Sequence, residues 1–567
     1  MTYDIRALAQ QLDADKDGRP PDLAWLERST REPDPFWSDL VDALAPPRGV
    51  RPRSRPGERF DLYHDLVIRH LTGPDRPALR WYERARGFQD LSYAELHARV
   101  GRKAGEWAAQ KVETGDLLAV VLHPGPAWLV ALLAALRMGL VVSWLPPLGD
   151  LFLGRRLDAL KAKHLATDAR YLSLLAGREK ILLQDSLAAP TYPDRAHTYA
   201  PGKPCGMLFS PLHEPPSEPR PLAADAAFLA AARDGIFVHG LGPGDLLAAP
   251  GFHPLQHQPA LLFTALLAGA TWLEIPVAEV VADPKLLTQF PVQSLGVSAA
   301  VRDALLARNP GKLSGVSHWF RDLEEPFDSE AWARFVAELG LAKVPASSLL
   351  VEPIAGGCAL QSVRRRHADW RAIPAPGQPY VLRDAITGKE AAGDHGIFNF
   401  AARPEKKPAK DGHAVVSRSG PELAYGGTPT PRRAGRVYAA DEVTEAISGL
   451  PFCAGAFVLP LAAGGATARH LFSLFVFTGA ETPEELAAKQ GERDAAIERT
   501  LVSRLGSEFL PDRIAYYPLY PRLKKGAVDL AWCETQYRSG LLAWKSGDPV
   551  FLALTAVRGR CVMAERS

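Results

Sequence analysis

The run Gly356-Gly357-Cys358 places two residues without side chains next to a thiol. Because glycine has no Cβ, the pair would let a ligand or a second stretch of backbone approach closely, although a tight turn needs the same residues. We interpret Cys358 as a buried, inert thiol rather than a nucleophile. The sequence has no Ser-His-Asp or Cys-His signature, no H-E-x-x-H zinc motif and no Walker loop. Those reaction classes are therefore not indicated.

The glycine and proline content of residues 210–221 indicates whether this segment can form a phosphate-binding loop. A loop that cradles phosphate needs glycines, so that its backbone N–H groups can come close to the anion. This segment has no glycine and five prolines, and proline has no N–H to donate. Glu214 and Glu218 would repel a phosphate, whereas Arg220 could attract one. One arginine among acids and prolines is more often a solvated surface residue, so we expect no working phosphate loop here.

Other polar side chains stand near predicted strand ends, and each has a structural interpretation. His253 could be a satisfied histidine at a strand end. Glu352 could be a carboxylate that caps the turn before Pro353. Lys524 and Lys525 are adjacent, and such lysines usually point into water.

Composition narrows the class of protein. A chain of 567 residues is too long for one ordinary core, which favours two or more domains. The 66 basic and 64 acidic side chains give a net charge of +2, so neither nucleic acid nor an anionic membrane is indicated as a partner. Five scattered cysteines and an N-terminus without an apolar run predict a cytoplasmic protein. The most hydrophobic window, residues 127–142, is shorter than the ~20 residues of a membrane span.

Helices and strands alternate from about residue 60 onwards. Ser92 followed by Glu95 predicts a capping box at a helix start, and that helix continues through Trp107. Residues 117–122 form an apolar run of the buried-strand type, residues 127–138 a helix, and residues 141–146 the next strand. This alternation predicts βαβ units on a largely parallel sheet.

Several runs, taken in order, resemble motifs of the adenylate-forming superfamily, which includes acyl-CoA synthetases, luciferases and the adenylation domains of peptide synthetases. The runs are residues 92–96 (Ser-Tyr-Ala-Glu-Leu), 115–120 (Gly-Asp-Leu-Leu-Ala-Val), 240–245 (Gly-Leu-Gly-Pro-Gly-Asp), 250–253 (Pro-Gly-Phe-His) and 441–447 (Asp-Glu-Val-Thr-Glu-Ala-Ile). The resemblance covers roughly residues 60 to 535. It implies an α/β fold with a large N-terminal domain of βαβ-type sheets and a small β subdomain, followed by a small α+β C-terminal domain.

The resemblance also implies a reaction in which a carboxylate attacks the α-phosphate of ATP. In the superfamily, a Y-G-x-T-E run supplies an aromatic ring for adenine and a Glu that helps to hold magnesium. Here residues 349–351 are Leu-Leu-Val, and only Glu352 matches. The ribose-binding Asp and the hinge-side Arg have no direct counterpart, and the C-terminal lysine aligns with Ala527, near Lys524 and Lys525. These departures, with the phosphate segment, predict that the chain does not activate ATP in the usual way.

The resemblance implies a substrate pocket at His253, Gly356 and Gly357. It also implies three segments: an N-terminal extension and linker (1–58), an AMP-binding-like domain (59–430) and a small lid domain (431–567). The first hypothesis is a member that has lost adenylation and acts as a non-catalytic partner, binding an acyl or aryl carboxylate or its thioester, a carrier protein or a sister ligase subunit.

The alternative is an active acyl- or aryl-acid ligase with a divergent nucleotide site, which forms an acyl adenylate and then a CoA or carrier-protein thioester. It would use ATP and Mg²⁺, with Arg220, Glu352 and either Lys524 or Lys525 as substitutes for the usual residues. A third idea is different chemistry in the same cleft, for instance on a preactivated thioester.

Overall fold

The computed structural model describes residues 21–45, 50–178, 180–183, 192–193, 195–210, 218–325, 328–362, 371–384, 387–400, 415–420, 422–425, 432–433, 436–462, 470–518, 520–538, 553–557 and 560–564. The α-helices are α1 (Pro21–Arg31), α2 (Pro33–Ala43), α3 (Leu62–Leu66), α4 (Tyr93–Ala109), α5 (Pro126–Met138), α6 (Asp150–Leu160), α7 (Ala224–Arg233), α8 (Pro254–His257), α9 (Ala260–Leu267), α10 (Val277–Ala282), α11 (Ala299–Arg308), α12 (Ser329–Glu338), α13 (Ala440–Ile447), α14 (Pro483–Arg504) and α15 (Leu530–Arg538). Shorter helical turns are Ile68–His70, Ala169–Leu175, Asp234–Val238, Pro284–Thr288, Pro353–Ala355 and Ser507–Phe509.

The strands are β1 (Pro77–Glu83), β2 (Gly87–Ser92), β3 (Leu117–Val121), β4 (Val141–Leu145), β5 (His164–Thr167), β6 (Ile181–Leu183), β7 (Pro204–Leu208), β8 (Arg220–Ala223), β9 (Leu246–Ala248), β10 (Thr271–Glu274), β11 (Ser294–Gly296), β12 (His318–Asp322), β13 (Ala346–Glu352), β14 (Gly357–Ser362), β15 (Arg371–Pro374), β16 (Tyr380–Arg383), β17 (His395–Phe400), β18 (Val415–Ser419), β19 (Glu422–Tyr425), β20 (Arg432–Arg433), β21 (Arg436–Val437), β22 (Gly455–Ala462), β23 (His470–Phe477), β24 (Arg513–Tyr517), β25 (Leu523–Lys524), β26 (Ala527–Val528), β27 (Ala553–Val557) and β28 (Arg560–Ala564).

Two mixed sheets form the large domain. The first has the strand order β16-β17-β18-β19-β15-β14-β13-β12-β11-β9-β10-β1-β2, and the second has the order β6-β5-β3-β4-β7-β8. Strands β9 to β13 are parallel where they pair, and an antiparallel group from β14 to β19 extends that sheet. The βαβ units and the small β subdomain predicted from the sequence are therefore confirmed.

A third sheet, β22-β23-β24, lies in the C-terminal region with α13 and α14. Its first pair is antiparallel and its second pair is parallel, which gives the small α+β domain that the resemblance implies. The division of the chain near residue 430 falls where residues 426–431 lie outside the described residues, and it stays a prediction.

The first two helices pack onto the large domain. Trp25 lies with its ring centroid 4.6 Å from that of Phe237, and Phe36 is buried beside Trp25. Leu40 and Val41 belong to the same apolar cluster as the helices of the large domain. This part of the predicted N-terminal extension therefore contributes to the main core.

The structure differs from the sequence prediction at two helices. The sequence pattern predicts a helix over residues 223–237, whereas α7 ends at Arg233 and the chain continues as a π-helical turn. The pattern also predicts a helix over residues 494–505, whereas α14 begins earlier, at Pro483, behind a Thr482–Glu485 capping box. The other predicted elements over residues 60–146 are present, with ends that differ by a few residues.

The capping box at Ser92 is confirmed, and it gives the first prediction. The Glu95 N–H donates to Ser92 Oγ over 3.2 Å, and the Ser92 N–H donates to the Glu95 carboxylate over 3.3 Å. Ser92→Ala removes the acceptor and should lower the free energy of unfolding by about 1 kcal/mol, whereas Ser92→Gly should lower it by only a few tenths. Urea unfolding followed by circular dichroism measures both. Equal losses in the two variants would contradict a capping role.

Candidate functional site

The carboxyl ends of β9, β11, β12 and β13 meet at one edge of the first sheet. The carboxyl edge of parallel strands is where open α/β sheets place ligands. Here the chain leaves β9 towards His253, leaves β11 at Ser298, leaves β12 at Asp322 and reaches Glu352 as the last residue of β13. The candidate site, which we call the carboxyl-edge cluster, consists of these residues and their neighbours at the same edge: His253, Gln256, His257, Ser298, Arg321, Asp322, Glu324, Glu325 and Glu352.

His253 begins the short helix α8 and belongs to this cluster. Its Nδ1 accepts the Leu255 N–H at 3.2 Å, and its Nε2 lies 3.5 Å from Oε1 of Glu508 in the C-terminal region. His253 is only 8% exposed. The histidine therefore caps a helix and also faces a carboxylate from the other domain, so both sequence interpretations retain support.

Two neighbours on α8 were not singled out from the sequence. His257 Nδ1 donates to the carbonyl oxygen of His253 over 3.1 Å, and its Nε2 lies 3.5 Å from Asp322 Oδ2. Gln256 is fully buried, and neither atom of its amide has a hydrogen-bond partner among the described residues. An unsatisfied buried amide is unfavourable, so Gln256 marks a polar position that water or a ligand group could satisfy.

The turn after β12 supplies carboxylates. The Glu324 N–H donates to Asp322 Oδ1 over 2.9 Å, and the Ala299 N–H at the start of α11 donates to Glu325 Oε2 over 2.9 Å. Desolvation, together with the nearby Asp322, raises the pKa of Glu325 to about 8. Burial lowers the pKa of Arg321 to about 10. The cluster thus combines an acid that holds its proton at neutral pH with a buried cation.

Glu352 is completely buried at the end of β13. Its Oε1 accepts the Ile354 N–H over 3.2 Å, which caps the turn Pro353–Ala355. The three residues before it, where the resemblance implies an adenine-stacking aromatic, are buried aliphatic side chains. These positions support the fold.

Gly356 and Gly357 pack against other residues of the same chain. Gly356 has φ +79°, and a Cβ there would lie 2.9 Å from the carbonyl oxygen of Ala226. A Cβ at Gly357 would overlap the carboxylate of Asp234, whose Oδ2 accepts the Cys358 N–H over 2.6 Å. The two glycines thus allow close packing of β14 on α7. Their assignment to a substrate pocket stays a prediction.

The three candidate cations lie apart from these contacts. Arg220 is half-buried at the first position of β8 and pairs with Leu208 of β7. Residues 211–217 of the segment before it lie outside the described residues. Lys524 and Lys525 are exposed in the β25–β26 hairpin, and Lys525 occupies the turn with φ +54°. Burial raises the pKa of the Cys358 thiol well above its ordinary value, consistent with an inert thiol.

A magnesium ion held with a nucleotide would need an accessible carboxylate, because Mg²⁺ is usually bound by one or two carboxylates together with phosphate oxygens and water. Glu352, the residue at the implied position, is closed off from solvent and caps its own turn. Among the described residues, no group of three or more His, Cys, Asp or Glu side chains is arranged to hold a metal ion. Glu352 is thus closed off from solvent in this arrangement of the domains, and its role as a magnesium ligand stays a prediction.

Comparison with known proteins shows which family and which solved structures this chain is similar to. Residues 69–201 match the family model described as AMP-binding enzyme. Over its whole fold, the chain is similar to acetoacetyl-CoA synthetase from Streptomyces lividans, with a TM-score of 0.61 and 18% identity over 94% of this chain and 93% of that one. The chain therefore shares the fold of acyl-CoA synthetases, and its match to the AMP-binding enzyme family covers residues 69–201.

Other proteins share this fold or match part of the sequence. The fatty acyl-adenylate ligase from L. pneumophila, solved with acyl adenylate and pyrophosphate, gives a TM-score of 0.61 and 11% identity over 84% of this chain and 96% of that one. Acetyl-coenzyme A synthetase 2 from Pseudomonas putida is 28% identical over 184 residues, which are 30% of this chain and 28% of the relative. Acetyl-coenzyme A synthetase from Caulobacter vibrioides is 33% identical over 146 residues, 23% of this chain and 22% of the relative. The sequence matches to curated superfamily members thus span less than a third of their length.

Gly357 gives a prediction that separates packing from a pocket role. Gly357→Ala should lower the free energy of unfolding by about 1–3 kcal/mol, because its Cβ would overlap the buried Asp234 carboxylate. Gly393→Ala is the control, since nothing lies within 4 Å of a Cβ there. Chemical denaturation measures both variants. A Gly357→Ala protein as stable as the control would show that the site has room, as a ligand pocket requires.

Glu325 gives a prediction on pH. Its pKa is raised from 4.5 to about 8 in the folded chain, so the unfolded state loses this proton at lower pH and stability falls between about pH 4.5 and pH 8. Glu325→Gln cannot ionise and keeps an acceptor for the Ala299 N–H. The stability of the variant relative to the parent should therefore rise by more than about 1.4 kcal/mol from pH 5 to pH 8, the equivalent of one pKa unit.

Urea unfolding at the two pH values measures this difference. Glu330→Gln, at an exposed position near the start of α12, is the matched control and should show a smaller change. A pH dependence equal in the Glu325 and Glu330 variants would contradict the raised pKa.

Proposed function

We propose that this chain is a member of the adenylate-forming superfamily that has lost ordinary ATP-dependent adenylation and acts as a non-catalytic binding partner in a biosynthetic system. Its ligand would be an acyl or aryl carboxylate or the corresponding thioester. Its protein partner would be a carrier protein or a sister ligase subunit. No cofactor is required for this role.

The observation that carries the proposal is the end of β13. All seven residues of this strand are buried, and the three before Glu352 are Leu, Leu and Val. An aliphatic side chain inside a core cannot stack on adenine. The Oε1 atom of Glu352 caps the turn that follows it, so this carboxylate has a structural role in the fold. Residues that the superfamily uses for the nucleotide thus stabilise the fold in this chain.

The charge at the carboxyl edge supports the same conclusion. The end of β12 carries two buried carboxylates, Asp322 as its last residue and Glu324 just after it. Glu508 adds a carboxylate from the C-terminal region. Like charges at close range repel, and they do so more strongly where water is excluded. A polyphosphate entering this edge would meet these carboxylates, while residues 210–221 offer it prolines instead of glycine N–H groups.

The alternative is an active acyl- or aryl-acid ligase with a divergent nucleotide site. The AMP-binding family match over residues 69–201 favours it, as does Arg220, a partly exposed cation at the strand that follows the loop. In this alternative, ATP and Mg²⁺ are cosubstrate and cofactor, and Lys524 or Lys525 would have to move towards the phosphates.

The proposed role places the protein in the cytoplasm, with free thiols at Cys205, Cys358, Cys453 and Cys533. In the part of the chain that the structure describes, no helix has both the length and the apolar character needed to cross a bilayer. The cytoplasmic location remains a prediction from the sequence.

Titration of ATP–Mg²⁺ into the full-length protein tests the proposal. We expect no heat of binding and no rise in melting temperature at millimolar ATP–Mg²⁺. A dissociation constant of 10 μM, in contrast, would stabilise the protein by about 2.7 kcal/mol at 1 mM nucleotide, because the ligand would then be at 100 times its dissociation constant. An active acetyl-coenzyme A synthetase, titrated in parallel, controls for the nucleotide stock.

Binding at micromolar affinity would overturn the proposal and support the ligase alternative. Pyrophosphate release would then be screened with acyl and aryl acids, using Arg220→Ala and Glu352→Ala. Arg31→Ala, at an exposed position on α1, is the matched control for the loss of an arginine. Loss of release in the first two variants, and not in the control, would assign these residues to the nucleotide site.

A further inference from the structure

Helix α6 belongs to the large domain by sequence, and the C-terminal domain packs against it. One apolar cluster contains side chains from α6 and from the C-terminal domain. Its members include Leu151, Phe152, Leu153 and Leu157 of α6, Val443 and Ile447 of α13, Leu501 and Leu505 around the end of α14, and Phe457 and Phe475 of the third sheet. Phe152 and Phe509 have ring centroids 6.2 Å apart. The two domains therefore share a continuous core.

A buried ion pair crosses the same contact. Arg156 of α6 lies with Nη1 at 3.2 Å from each carboxylate oxygen of Glu442 on α13. The two side chains are 8% and 0% exposed. Burial lowers the pKa of Arg156, while Glu442 acts in the opposite direction. Removing one partner while the contact stays closed would leave an uncompensated buried charge, which is strongly unfavourable.

The backbones also approach closely beside this pair. A Cβ at Gly149, just before α6, would overlap the carbonyl group of Arg504 at the end of α14. Gly149 has φ −173°, an extended conformation open to any residue, so the close approach alone requires glycine there. Gly506, with φ +108°, packs against Leu148 from the other side of the contact.

The docked domain also reaches the candidate site. Glu508 follows α14 directly and lies 3.5 Å from Nε2 of His253. Leu255, two residues beyond that histidine, belongs to the cluster shared with the C-terminal domain. The contact at α6 therefore fixes a carboxylate of one domain over the carboxyl-edge cluster of the other.

We propose that the Arg156–Glu442 pair and the Gly149–Arg504 approach form a latch that holds the C-terminal domain closed over the carboxyl-edge cluster. The latch keeps one domain arrangement whether or not nucleotide is present. Access to His253 and Gln256 then requires that the shared core around α6 open. This inference goes beyond the proposed function, since it concerns domain arrangement and not ligand chemistry.

A distance measurement between the domains tests the latch. Spin labels at Ala85→Cys and Ala488→Cys report the separation of two exposed sites, in a full-length background with Cys453 and Cys561 replaced by serine. We expect one narrow distance distribution, unchanged by millimolar ATP–Mg²⁺ or by a non-hydrolysable acyl-adenylate analogue. Two distances, or a shift with either nucleotide, would overturn the proposal.

Glycine variants of the same segment supply the matched comparison. Gly149→Ala should broaden the distribution or add a second distance, because its Cβ would push against Arg504. Gly154→Ala, on α6 itself with nothing within 4 Å of its Cβ, should leave the distribution unchanged. The same distribution in both variants would also overturn the latch.

Charge variants keep the test decisive if Gly149→Ala fails to fold. Glu442→Gln should increase hydrogen–deuterium exchange of residues 150–160 at least tenfold, and Glu445→Gln, the exposed neighbour paired with Arg155, should change it less than twofold. Equal exchange in the two variants would contradict the latch. Nucleotide binding with one unchanged distance would overturn the proposed function alone, so the two failures are distinguishable.

Discussion

The site depends on the packing of β13. Its seven residues are buried on both faces, between β12 and β14. Leu349 joins the largest apolar cluster, while Leu350 joins the cluster of the small β subdomain. The packing of this strand determines the position of Glu352, its last residue, and of the turn at Gly356. Because Leu349 and Leu350 already lie in these two clusters, their side chains are not available for ligand contacts.

The carboxyl-edge cluster and the interdomain contact constrain each other. Asp322, Glu325 and His257 come from the large domain, and Glu508 comes from the C-terminal region. If the C-terminal domain moved away, the shared core around α6 would lose apolar contacts and Arg156 would lose its buried partner. A closed arrangement excludes water from the edge, which strengthens every charge interaction there.

Local features were predictable from the sequence, and features that depend on distant residues were not. The Ser92–Glu95 capping box is a contact between neighbours in the chain, and the pattern identified it. The helix α14 begins in a polar stretch, so hydrophobic periodicity missed its first turns, although Thr482 and Glu485 form the same kind of box. The partner of Gly357 is Asp234, and the partner of Arg156 is Glu442, 286 residues away. Nothing in the local sequence of these glycine and arginine positions indicates such partners.

The places where the chain departs from superfamily motifs have a physical pattern. The matching runs at residues 92–96, 115–120 and 441–447 lie at the start of α4, in β3 and in α13. They supply core residues and a helix start, which stability alone maintains. The departures fall at residues 210–221 and 349–351, the segments at which the resemblance implies contacts with a nucleotide. A protein near its stability threshold retains its core whatever its activity, since large losses of packing unfold it. Under the proposed function, a nucleotide no longer determines the residues at those positions, whereas folding still requires the core residues, including the buried aliphatic side chains of β13.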